Sequence, residues 1–326
     1  MNVNSPKVVV LGTGGTIVGV GAGPHALSYQ AAQLGVAQVV DHVQSVAPDL
    51  AAMAIECRQV AQVDSKDMDW PIWQAIGRAL QAELSRPDVG AIVITHGTDT
   101  LEETAFLLHC LLNADKPVVL TAAMRPATSH EADGPGNLRD ALRVAHAAAL
   151  HQQHGVVVVM AGQVWPARAV RKVQTLQIDA FDGGGCEALA LVHASGEIEE
   201  FGAWPAGGHG GWACLEQDRP ARVEIVTSHA GADGRLVDAM LAFQPQTDPV
   251  KGLVVAGTGH GTIHQGLTQA LQRAEQSGIK VLRSTRVARG GVERRDEDQW
   301  PTAGTLTPAQ ARVALMLELM GVPSAG

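Results

Sequence analysis

Apolar positions along the chain follow two alternating rhythms. Short, nearly unbroken runs, "KVVVLG" (7–12), "VGAIVIT" (89–95), "PVVLTA" (117–122) and "GVVVVMAG" (155–162), predict strands covered on both faces. Between them, "PIWQAIGRALQAEL" (71–84) sets Ile72, Ile76, Leu80 and Leu84 on one helical face, and "GNLRDALRVAHAAAL" (136–150) does the same with Leu138, Leu142, Ala145 and Ala149. Strands of this kind separated by amphipathic helices predict an α/β fold with a mainly parallel sheet.

The rhythm lapses over 183–220, a stretch rich in Gly and Ala that reads as hairpin and linker. It then resumes with "VEIVT" (223–227), a helix near 233–243, "KGLVVAG" (251–257), a helix from Thr262 to Ser277 and "IKVLRST" (279–285). Thr307 and Gln310 have the spacing of a capping box, Pro308 sits in the first turn, and Gly321 stops the last helix. The expected architecture is two open α/β domains: a larger one over 1–190, a linker over 191–220 and a smaller one over 221–326.

Composition narrows the classes of function. Apolar residues make up 46% of the 326, enough for a full core, and the net charge of −9 argues against nucleic acid or an anionic membrane as the main partner. No apolar run approaches a membrane span, and the N-terminus lacks the apolar stretch of a signal peptide, so the chain is expected in the cytoplasm. Its four cysteines lie far apart, which supports neither a disulfide framework nor a zinc site.

Two loops at predicted strand ends can carry chemistry, "LGTGGTIVG" (11–19) and "THGTDTLEE" (95–103). A dinucleotide fingerprint beginning at Gly12 and Gly14 would need glycine where Ile17 stands, and no G-K-[ST] triplet occurs. No serine sits in G-x-S-x-G, and "HGTIH" (260–264) lacks the glutamate of a zinc helix. Glu102 and Glu103 read as first-turn acids that suit a helix dipole, with Thr100 and Glu103 spaced as a second capping box. What remains is threonine: Thr16 after Gly14-Gly15, and Thr98 beside Asp99. A threonine hydroxyl needs a base before it attacks, and helix N-termini supply N–H groups for an oxyanion, so the pattern suits a small anionic substrate attacked by a hydroxyl.

With these motifs in hand, the sequence resembles the bacterial-type L-asparaginases, on the side of the type II-like members. "TGGTI" (13–17) resembles that family's first signature and "THGTDTLEETA" (95–105) its second, while "AAMRPATSHEADGPGNL" (122–138), "RSTRV" (283–287) and "AGTLTPAQAR" (303–312) extend the likeness nearly end to end. The resemblance implies hydrolysis of L-asparagine to L-aspartate and ammonia without metal or cofactor, in a homotetramer of close dimers. It implies Thr16 as nucleophile, Tyr29 in a lid as the group that helps take its proton, and Thr98, Asp99 and Lys172 as a second group. Gly15, Ser65, Lys66, Thr98 and Asp99 would meet the amino-acid substrate. A glutamate from the neighbouring subunit, Glu297 ahead of Glu293, would complete its ammonium site, and Thr262 would line the same boundary. Two positions depart from the family pattern: Lys66, where Gln, Glu or Ser is common, and "KVQ" after Lys172, where Lys-Thr is typical. A broad glutaminase–asparaginase shares these motifs, and a non-catalytic amino-acid sensor or amidotransferase subunit is the reading from another class.

Overall fold

The computed structural model describes residues 6–21, 29–113, 115–205, 207–208 and 211–323. The chain divides into two compact units, one running to Leu215 and the other from Glu216.

In the first unit the strands are β1 (Lys7–Gly14), β2 (Val20–Gly21), β3 (Tyr29–Gln30), β4 (Ile55–Val63), β5 (Val89–Thr95), β6 (Pro117–Thr121), β7 (Gly155–Met160) and β8 (Gln163–Pro166). They are followed by β9 (Arg171–Lys172), β10 (Phe181–Asp182), β11 (Ala190–Val192) and β12 (Ile198–Glu200). The helices are α1 (Val36–Val46), α2 (Trp70–Leu84), α3 (Leu101–Leu111) and α4 (Gly134–Leu150). Eight strands form one sheet in the order β12-β11-β8-β7-β6-β5-β1-β4. β4, β1, β5, β6 and β7 run parallel, and β8, β11 and β12 add an antiparallel margin.

From β1 the chain goes first to β4 on one side and then to β5 on the other. The order therefore reverses at β1, which makes the carboxyl ends of β1 and β5 the switch point where open α/β sheets bind ligands. Both candidate loops leave from that place. Val8 and Val10 of β1 pack with Val36, Val39, Val40 and Val43 of α1 and Leu138 and Leu142 of α4 in one buried cluster. Each aliphatic side chain so enclosed contributes roughly 1.5–3 kcal/mol, which makes the strand ends a rigid platform.

Within the stretch read as hairpin and linker, β11 pairs with β8 and β12 with β11, so this hairpin joins the large sheet. The edge they form is short and carries Glu199 and Glu200, devices that discourage further pairing. The second unit is a three-stranded parallel sheet, β13 (Val223–Thr227), β14 (Gly252–Gly257) and β15 (Lys280–Thr285), with α5 (Arg235–Ala242), α6 (Gln265–Gln276) and α7 (Pro308–Leu319). Thr307 and Gln310 do form the reciprocal capping box at α7. α6 begins later than Thr262, because Thr258 and Thr262 bond to each other across a tight turn and His264 takes the N-cap.

A buried hydrogen-bond chain ties the end of β5 to the helices. His96 Nδ1 lies 2.7 Å from Gly97 O, which can only accept, so that nitrogen carries the proton. His96 Nε2 then accepts from Thr104 Oγ1 at 3.0 Å, and Thr104 Oγ1 accepts from Trp73 Nε1 at 2.9 Å. β5, α3 and α2 are thereby fixed together through one neutral imidazole. Burial pushes the His96 pKa down to about 4, and does the same for His109 on α3, where Arg168 adds repulsion.

Because both folded-state values lie below the ordinary 6.5, the unfolded chain binds protons that the folded chain refuses as pH falls. Stability contributed by each neutral histidine is present above about pH 6.5 and is lost toward pH 4, by about 3 kcal/mol per group over the full window. Urea unfolding between about pH 7 and pH 5 should therefore lose stability, with His146, whose pKa burial also lowers, adding to the slope, and His109→Leu should reduce that slope by about one proton. A slope unchanged by the substitution would show that His109 is not the group responsible.

Candidate active site

The loop after β1 turns through Gly14 and Gly15, with φ of +107° and +79°, conformations that favour glycine. Gly15 N–H donates to Val63 O at 2.8 Å, which fastens the turn to the end of β4. A Cβ on Gly15 would stand 2.6 Å from both Cα and N of Gly97, so the loops after β1 and β5 touch backbone to backbone. Gly97 in turn abuts Ser65, whose Oγ would lie 2.4 Å from an added Cβ. Thr16 follows Gly15 directly, opens the short 3-10 turn Thr16–Val18, and is buried.

The second loop is braced by Ser65. Asp99 N–H donates to Ser65 Oγ at 3.2 Å, and Thr100 Oγ1 donates to Ser65 O at 2.8 Å. Thr100 therefore does not cap α3 with its side chain, and the capping box expected with Glu103 does not form. Its hydroxyl is committed to Ser65, while Glu103 N–H bonds the Thr100 carbonyl at 3.2 Å.

Across this loop lies Lys172, on the two-stranded arm of β9 and β10. Its Nζ reaches Thr98 Oγ1 at 2.9 Å and Asp99 Oδ1 at 2.7 Å. Thr98 is buried, whereas the Asp99 side chain is 51% exposed. A hydroxyl, an ammonium and a carboxylate thus meet in one cluster that can pass a proton. The backbone N–H of Lys172 donates to Glu102 Oε2 at 2.7 Å.

A third loop supports the first. Asp133 accepts from Met124 N–H and Arg125 N–H, each at 2.9 Å, and from Asn137 Nδ2 at 3.1 Å. Asn137 also donates to Ala122 O and accepts from Ala161 N–H. The segment so held meets the strand that leaves the Thr16 turn: Ala127 N–H donates to Gly19 O at 3.0 Å, and Gly21 N–H to Thr128 Oγ1 at 2.9 Å.

Of the residues expected in the site, the fold brings together Gly15, Ser65, Thr98, Asp99 and Lys172, with Thr16 next to Gly15. Tyr29 pairs through its backbone with Gly21; its side chain and the rest of the expected lid, residues 22–28, lie outside the described residues. Lys66 turns onto its own loop. Its Nζ bonds Asp67 and lies 3.9 Å from Asp64, and its side chain is 61% exposed. The Asp67 carboxylate raises the Lys66 pKa above its ordinary value, with Asp64 and Asp99 adding to that.

Glu297 and Glu293 are both exposed, on the loop of the second unit that follows β15. Glu293 N–H donates to His260 Nε2 at 3.0 Å, and Asp298 pairs with Arg283. Thr262 bonds Thr258 in that same unit. Sequence reasoning missed Glu102, Asp133, Asn137 and Thr128 as supports. For Glu102 the signal was its place in the first turn of α3, shortly after Thr98 and Asp99. Among the described residues, no group of three or more His, Cys, Asp or Glu is placed to hold a metal ion. No helix among them is long and apolar enough to cross a membrane.

Residues 7–202 match the family model for the N-terminal domain of asparaginase, and residues 222–321 that for the glutaminase/asparaginase C-terminal domain. The chain is 34% identical over 323 residues to L-asparaginase 2 of Escherichia coli (strain K12), covering 96% of this chain and 89% of that protein. It is 32% identical over 329 residues to a glutaminase-asparaginase of Pseudomonas fluorescens biotype A, covering 96% and 86%. Among solved structures, that of a probable cytoplasmic L-asparaginase from Campylobacter jejuni matches with a TM-score of 0.87 at 32% identity, over 98% of this chain and 96% of that one.

The Gly15–Gly97 contact makes a prediction independent of any substrate. Gly15→Ala adds a Cβ where backbone already stands and holds an L side chain at φ +79°. It should lower stability by roughly 1–3 kcal/mol or more in urea unfolding. A variant as stable as the parent would mean that the two loops do not depend on this approach.

Proposed function

This chain belongs to the asparaginase family, and we propose that it hydrolyses the side-chain amide of L-asparagine with Thr16 as nucleophile. Membership makes it an amidohydrolase. The observation that carries the finer reading is the cluster of Lys172 Nζ on Thr98 and Asp99, set beside the turn that presents Thr16.

In this reading the substrate ammonium binds Asp99 Oδ2, and the α-carboxylate lies by the Ser65 turn. The Thr16 hydroxyl attacks the amide carbon while Tyr29 helps to take its proton, and backbone N–H groups hold the oxyanion. The Thr98–Lys172 pair supplies a proton to the departing nitrogen, ammonia leaves, and an ester remains on Thr16. Water then adds to the ester and releases L-aspartate and free Thr16. No metal or cofactor takes part. Lys66 is left out of the site because its ammonium is turned onto Asp67.

The exposed loop bearing Glu297 suits a role in a neighbouring subunit's site, and with it a homotetramer of close dimers as the working state. Four free cysteines suit the cytoplasm. Similarity to a glutaminase-asparaginase keeps a second reading in view, a broad amidase, since one methylene of substrate length is worth only about 1–3 kcal/mol.

Ammonia release from L-asparagine and L-glutamine tests both. Thr16→Ala and Lys172→Met should each retain the fold by circular dichroism, and Thr16→Ala should lose roughly 10³-fold or more in kcat on asparagine. Equal parent rates on the two amides would establish the broad enzyme. Binding of asparagine by calorimetry with no turnover of either amide would make the chain a sensor. Lys66→Gln should change the asparagine-to-glutamine ratio of kcat/KM by less than about threefold, as expected for a solvent-screened charge. A larger change would return Lys66 to the substrate.

A further inference from the structure

Lys172 is placed unusually for a residue in a catalytic cluster. Thr16 and Thr98 lie in the short loops that leave strands β1 and β5 of the large sheet. Lys172 instead lies on a strand of two residues, whose partner is another strand of two residues, in a ribbon separate from that sheet. Residues 173–179, which close the ribbon, are all exposed. A ribbon this short does not hold a side chain to within a few tenths of an ångström by pairing alone.

Two contacts anchor Lys172 to a single site on the main body, the start of α3. At the tip, Nζ bonds Thr98 Oγ1 and Asp99 Oδ1. At the root, its backbone N–H bonds Glu102 Oε2 at 2.7 Å. Glu102 sits in the first turn of α3, three and four residues beyond the groups that receive the ammonium. Grip and target thus lie on one short segment, 98–102, so the start of α3 and the loop leading into it set their separation, rather than the path of the ribbon. Next to Lys172 on the ribbon, Arg171 is buried, and the negative charges of Glu102 and Asp182 oppose the effect of that burial on its guanidinium.

We infer that Glu102 is a positioning residue for the reaction, a carboxylate that fixes the Lys172 backbone so that its ammonium meets Thr98 and Asp99. It touches no substrate and acts through Lys172, so this inference rests on the proposed role of that lysine. Loss of the grip lets the ammonium drift from Thr98, and displacements of about an ångström cost up to 10²-fold in rate.

The test is a double-mutant cycle on asparagine hydrolysis with Glu102→Ala, Glu102→Gln and Lys172→Met, each checked by thermal unfolding. Glu102→Ala should lower kcat by roughly 10- to 100-fold with KM within about twofold of the parent. Glu102→Gln keeps an oxygen that can accept from Lys172 N–H, and should stand within about threefold of the parent in kcat. On the Lys172→Met background, Glu102→Ala should cost almost nothing more, because the group it positions is gone.

Losses that multiply in the double variant would overturn the inference, since a merely structural carboxylate would act regardless of Lys172. Parent-like kcat in Glu102→Ala would overturn it as well, as would a Gln variant as slow as the Ala variant. Should Glu102→Ala not fold, Glu102→Gln paired with Glu102→Leu carries the same cycle. Failure of the underlying reading has a different signature: Lys172→Met would then retain parent turnover by itself.

Discussion

Everything in the proposed site depends on two loops meeting where the sheet reverses its strand order. Parallel strands about 4.8 Å apart bring the ends of β1 and β5 side by side, but side chains on both loops would hold the following residues apart. Here Gly15 lies against Gly97 with no room for a Cβ between them. That contact is what lets Thr16 and the Thr98–Asp99 pair lie at one switch point. Ser65 completes the packing from β4, the strand on the other side of β1, by bonding Asp99 and Thr100 from below. Three neighbouring strands thus each contribute one loop, and glycine at the junction sets how closely they pack.

Rigidity behind the loops comes from polar groups that are paired inside the protein. His96 is held as an uncharged imidazole because both nitrogens have partners of fixed sense, and burial leaves no room for a second proton. Asp133 does for the third loop what His96 does for the second, accepting three N–H groups through two oxygens. In front of these supports the polarity changes. Lys172 and Asp99 form an ion pair that is partly open to water, which in the proposed reaction lets the substrate exchange solvent for protein charges. Lys66, though adjacent to Ser65, spends its charge on Asp67.

How much of this was legible follows the physics of each signal. β1, β5, β6 and β7 were plain because strands buried on both faces need unbroken apolar runs. β4 was not, because it is the sheet's outer strand, and its Glu56, Arg58, Gln59 and Gln62 break any apolar pattern. α1 carries buried Val36, Val39, Val40 and Val43 at helical spacing, a signal that was present and passed over. The β11–β12 margin lies in the stretch read as hairpin and linker, but strands of three residues give no apolar period by which to place them in the sheet. In the site, Gly15, Thr16, Thr98 and Asp99 stood out as loops at strand ends. Lys172 could be found only by likeness to a family, since nothing in "RAVRK" distinguishes it from an exposed basic cluster.

The same contrast separates residues that the sheet delivers from those that an arm delivers. A strand end announces itself, because the apolar run before it has a period and the glycines after it have a reason. An arm of two-residue strands has neither, so its contribution is defined by what it docks against. Here the docking partner is the first turn of α3, and its acids have two uses that look identical in sequence. Glu103 and Glu102 both suit the dipole of that helix, yet Glu102 also receives the Lys172 backbone. A carboxylate at a helix start thus stabilises the helix whether or not anything approaches it. Only the fold reveals that Glu102 has been given such a second task.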